Sequence, residues 1–113
     1  MRRILPGDIA AVARVLYRLP QTDRAGCLER LLTDAETADA YRQRTGRAHP
    51  RAGTGSLMSA ASPLARATEP DFGDARYCRC WIMVLEALLA RSSGATERGA
   101  VTEARIGGIS SRL

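Results

Sequence analysis

The stretch of the chain richest in chemistry is RQRTGRAHPRAGTGS, residues 42–56. Arg42, Arg44, Arg47 and Arg51 place four guanidinium groups within ten residues and with no acid between them. Planar guanidinium forks bind phosphate and carboxylate oxygens in pairs, so this run points to a nucleic-acid backbone or an acidic protein surface. His49, the one histidine of the chain, sits in the same run beside Pro50. Its position suits a turn residue that hydrogen-bonds to backbone and joins the basic surface. Gly53-Thr54-Gly55-Ser56 then leads into a short apolar segment, where free backbone N–H groups at a helix start would cradle a phosphate. The Gly-Lys pair of a nucleotide loop is missing, which disfavours a nucleoside triphosphate and leaves a nucleic-acid backbone or an anionic partner as the better ligand.

Other reactive residues carry less. All seventeen basic residues are arginines, which excludes a Schiff-base lysine, a phosphate-loop lysine and a Ser-Lys dyad. Cys78 and Cys80 inside a helix point about 200° apart, so they cannot chelate one ion, and Cys27 and His49 complete no zinc spacing. There is no G-x-S-x-G elbow and no local cysteine-protease signature. Asp34, Glu36 and Asp39 alternate with Arg30, Arg42 and Arg44 and read as a solvated face with local ion pairs. No enzyme activity, metal or cofactor is expected.

The elements that hold these residues are helical. At 113 residues the chain fits one domain, and with aromatics at 4% its core must be built from Leu and Ala, which suits close-packed helices. Asp8 is placed to cap a short first helix with Ile9, Val12, Ala13, Leu16 and Leu19 at helical spacing, stopped by Pro20. Thr22 offers a cap for a second helix, whose stripe runs from Ala25 through Leu28, Leu31, Leu32, Ala35 and Ala38 to Tyr41, with Gly46 as a left-handed terminator. Residues 46–56 form a loop, and Ser56 to Ala61 a short helix ended by Pro63. Asp74 opens a third long helix in which Tyr77, Trp81, Val84, Leu85, Leu88 and Leu89 run to Ser92. Trp81, Leu85 and Leu88 should pack on Leu28, Leu31 and Leu32. The expected fold is all-α, a small helical bundle of two long and one or two shorter helices over residues 1–91. A C-terminal tail covers residues 92–113.

That tail is too sparse in apolar residues to fold by itself. Ile106, Ile109 and Leu113, flanked by Arg105 and Arg112, would instead anchor it in the groove of a protein partner. A helix-turn-helix is disfavoured, because a recognition helix carrying Asp23, Glu29, Asp34, Glu36 and Asp39 would be repelled by DNA. The longest apolar stretch, Trp81 to Ala90, is about half of the roughly 20 residues that a membrane span needs. An odd cysteine count and a broken, charged N-terminal stretch lead us to expect a cytoplasmic chain that does not meet a membrane. Leftover Leu, Val and Trp surface would favour a homo-oligomer.

The order of parts, ILPGDIAAVARVL, then ADAYRQRTGRAHP, GTGSLM and YCRCWIMVLEALLA, resembles the small-terminase-like DNA-packaging proteins of bacterial gene transfer agents over about residues 4–91. The resemblance implies an oligomeric helical adaptor without enzyme activity that brings DNA to a large terminase motor. The dedicated helix-turn-helix of many phage small terminases is absent here, which fits weak, non-specific DNA contact. The alternative is a protein-only regulatory or assembly module whose arginine loop meets an acidic partner.

Overall fold

A computed structural model describes the backbone of residues 1–107 and the side chains of residues 1–92. Helix α1, Pro6–Arg18, starts on a proline whose fixed φ suits the first helical position. Its N-cap is Leu5, and Asp8 acts from the first turn instead, with the Leu5 N–H donating to Asp8 Oδ2 at 2.8 Å. Helix α2, Gln21–Thr45, has Pro20 as its N-cap, so the expected cap Thr22 lies inside its first turn. Gly46 ends α2 in the left-handed region, at φ 73°.

Helix α3, Leu57–Ala61, is capped by Ser56, whose hydroxyl accepts the Ser59 N–H at 3.0 Å. Helix α4, Ala75–Gly107, is capped by Asp74, whose Oδ1 accepts N–H groups from Arg76 at 2.9 Å and Tyr77 at 3.2 Å. α4 does not stop at Ser92 as expected but continues through the boundary drawn between domain and tail. Gly94 and Gly99 each lower helix propensity by only about 1 kcal/mol, and no proline follows Pro70, so nothing local ends the helix there.

The described chain is all-α, two long helices and two short ones, and no strand occurs among the described residues. The short α1 lies at its centre. It packs on α4 and α3, while α2 packs on α3 and less extensively on α1. Ile9, Ala11, Val12, Ala13, Val15 and Leu16 of α1 are all buried, because its alanines let neighbouring helices approach on more than one side. Leu28, Leu31, Leu32 and Ala35 from α2 close the core with Leu57 of α3 and Tyr77, Cys80 and Val84 of α4.

The facing of α4 departs from the expectation. Leu85 and Leu89 are exposed, Trp81 and Leu88 only partly buried, and Cys80 takes an inward position. The inward stripe is Tyr77, Cys80 and Val84, since α4 rests mainly on α1 rather than on the leucines of α2. α2 and α4 are tied instead by Arg91, which bridges Glu36 at 2.8 Å and Glu29 at 3.1 Å. Glu36 therefore has a distant partner, and Asp39 lies 3.0 Å from the Met1 amino group, in place of the local pairs expected along α2.

Candidate functional site

The arginine run is held at the C-terminal end of α2 and in the loop that follows. Arg42 and Arg44 belong to the last turn of α2, where cations are favoured by the exposed carbonyls of the helix end. Both are exposed, as are Arg47 and Arg51. Among the described residues no carboxylate forms an ion pair with any of the four. The Tyr41 ring contacts one of these arginines and His49. The Arg44 guanidinium lies 5.6 Å from its centroid, and the His49 ring meets it edge-on at 5.0 Å.

His49 is a turn residue. Its Nδ1 accepts the N–H groups of Arg51 and Ala52, both at 3.0 Å, so the proton of its neutral form is on Nε2. Its own N–H donates to the Gly53 carbonyl at 2.7 Å and its carbonyl accepts from Gly53 at 3.2 Å, which closes the loop on itself. Thr45 steadies the turn from the other side, donating to the Tyr41 carbonyl at 2.8 Å and accepting the Arg47 N–H at 3.1 Å. The arginines are thus displayed on a pinned backbone.

The Gly53–Ser56 segment does not serve as a phosphate cradle. Thr54 N–H donates to Ser59 Oγ at 3.1 Å, and Ser59 N–H to Ser56 Oγ at 3.0 Å. The N–H of Met58 is taken by Asp8 Oδ1 at 2.8 Å, so an internal carboxylate fills the place an anion would occupy. Asp8 is 5% exposed, and it links the first turn of α1 to the first turn of α3.

Two further arginines reach this end of the molecule. The Arg2 N–H donates to the Gly55 carbonyl at 2.9 Å, which brings exposed Arg2 and Arg3 beside the loop. Sequence reasoning missed them because nothing in their spacing links residue 2 to residue 55. Gly55 is the only residue type that fits there: its φ is 102°, and a Cβ would lie 2.9 Å from the Asp39 Cα.

Burial pushes the Cys27 and Cys80 thiols up, away from the thiolate a nucleophile or ligand needs, and Cys78 Sγ lies 3.0 Å from the Phe72 carbonyl. Among the described residues no three His, Cys, Asp or Glu side chains gather to hold a metal. No helix there is long and apolar enough to cross a membrane. Of the expected partner-binding residues, Arg105 and Ile106 lie on α4 by backbone alone, and Ile109, Arg112 and Leu113 lie outside the described residues.

Comparison with known proteins adds a family. Neither a curated protein nor a solved structure matches the chain. Residues 2–88 match the model of a domain of unknown function, DUF7742, and the chain belongs to that family.

Proposed function

We propose that this chain is a non-enzymatic, small-terminase-like adaptor for DNA packaging, one that touches DNA weakly and non-specifically and recruits a large terminase motor. One observation carries the DNA contact: Arg42, Arg44, Arg47 and Arg51 stand exposed at one end of α2, with no carboxylate partner among the described residues. Such a cluster meets phosphates irrespective of base, and it has no element shaped to enter a groove. The recruiting role rests on the resemblance of the sequence to packaging proteins. Self-association is supported by Ile82, Leu85 and Leu89, which leave an apolar stripe on α4.

The stripe also favours the second reading, a protein-only assembly module in which the arginines meet an acidic partner. Anisotropy titration of a labelled duplex separates the two. The R44Q/R47Q/R51Q variant should bind all sequences more weakly, and its log K against log salt slope should flatten by about 3, one unit per lost contact. Helical content should not change. Absence of DNA binding at low salt in the parent protein would leave the protein-only module as the reading.

A further inference from the structure

A second cluster of arginines lines a cavity at the other end of α2. The cavity, about 880 Å³, opens between the α1–α2 turn and the first turns of α4. Arg18, Arg24, Arg76 and Arg79 all line it, and among the described residues no carboxylate does. Its apolar wall comes from Leu19, Pro20 and Met83.

Arg24 sets this cavity apart from a solvated patch of arginines. It is only 8% exposed, yet no carboxylate pairs with it among the described residues. Its Nε donates to the Leu16 carbonyl at 2.8 Å and the Leu19 carbonyl at 3.1 Å, which caps the C-terminal end of α1 and fixes the guanidinium plane. Those are its only hydrogen bonds to described residues, so the two terminal nitrogens are left for the cavity. Both terminal nitrogens keep contact with solvent, so an anion in the cavity can reach them.

Arg76 is likewise positioned, its guanidinium carbon 4.1 Å from the Tyr17 ring centroid. The neighbouring carboxylate, Asp74, is occupied by the Tyr17 hydroxyl and by the N–H groups that it caps. Four guanidinium groups exceed what one carboxylate ligand needs and suit the several oxygens of a phosphate chain. The volume falls in the range of roughly 300–1,000 Å³ typical of small-molecule sites and is too large for a bare ion.

We infer that this cavity binds a phosphorylated small molecule of nucleotide size, with its phosphates on Arg24 and its neighbours and its uncharged part against the apolar wall. The site is separate from the DNA-contacting arginines, since Arg24 and Arg44 lie about 30 Å apart along α2 at 1.5 Å per residue.

Calorimetric titration of the full chain at low salt, with ADP and with inorganic pyrophosphate as probes, tests the inference. Both probes should bind. The R18Q/R79Q variant, which changes two exposed side chains and keeps the Arg24 cap, should bind both about tenfold more weakly or worse. R44Q/R47Q/R51Q should bind them like the parent. The inference is overturned if neither probe binds at millimolar concentration, or if the two variants lose binding equally, which would mark diffuse charge attraction. Pyrophosphate binding without ADP binding would refute the nucleotide-sized ligand. Displacement of ADP by a short duplex at a stoichiometry of one would assign the cavity to nucleic-acid phosphate and overturn it too.

Discussion

Asp74 ties local capping to a contact across the fold. Its carboxylate caps α4 through two backbone N–H groups and also accepts the Tyr17 hydroxyl of α1. The Tyr17 hydrogen bond and the capped N–H groups hold the Asp74 carboxyl below its ordinary pKa, while the same hydrogen bond pushes the Tyr17 phenol above its own. A carboxyl depressed by folding contributes stability above about pH 4, lost as pH falls through its folded pKa; a phenol raised by folding contributes below about pH 10, lost as pH rises through its folded pKa. The pair should therefore support the fold across the neutral range and weaken at both ends. Urea titrations at several pH values should show that Y17F removes the alkaline loss attributable to this phenol and softens the acid one.

Burial makes an equally direct statement about the leucines. Leu16 is fully buried and Leu85 is 44% exposed. Leu16→Ala should cost about 2–5 kcal/mol in equilibrium unfolding, and Leu85→Ala less than about 1 kcal/mol. Equal losses would mean that α4 presents a different face to the core.

At the scale of elements, part of the punctuation of the chain was legible, though Asp8 and Thr22 are not the N-caps expected and α4 runs past Ser92, and the facing of its helices was not legible. Gly46, Ser56 and Asp74 each end or start a helix by a mechanism that acts within a few residues, so sequence alone suffices to place them. The centrality of α1 was hidden because Ala11 and Ala13 look weakly apolar, although their small size is what lets helices close around them. On α4 the apolar arc is wider than the buried one, and periodicity cannot say which part of a broad arc faces inward. The arginine run of residues 42–51 could be read directly, but the cavity arginines come from residues 18, 24, 76 and 79 and share no local pattern.

Two glycines test the element description in opposite directions. Gly26 lies within α2 with nothing within 4 Å of a Cβ, so Gly26→Ala should stabilise by about 0.4–1 kcal/mol. Gly55→Ala should destabilise by about 1–3 kcal/mol, through its positive φ and the approach of Asp39. Thermal unfolding of both variants checks the signs.

For the whole molecule, the charge has an address. A net charge of +5 would by itself read as a solubility device. The fold divides part of it between an exposed cluster on a pinned loop and a concave cluster about 30 Å away along α2, joined by a continuous helix. Buried Asp8 and the concave cluster's own Arg24 are each used to cap a neighbouring helix. The four loop arginines, exposed and without a carboxylate partner among the described residues, are the ones we propose meet DNA, which is the central claim for the loop cluster. The measurement that tests it most directly is the salt dependence of DNA affinity of the unmodified chain, on two duplexes of unrelated sequence. Four phosphate contacts predict a log K against log salt slope of about −3 to −4, the same for both duplexes. A slope near zero, or no binding at low salt, would contradict the claim.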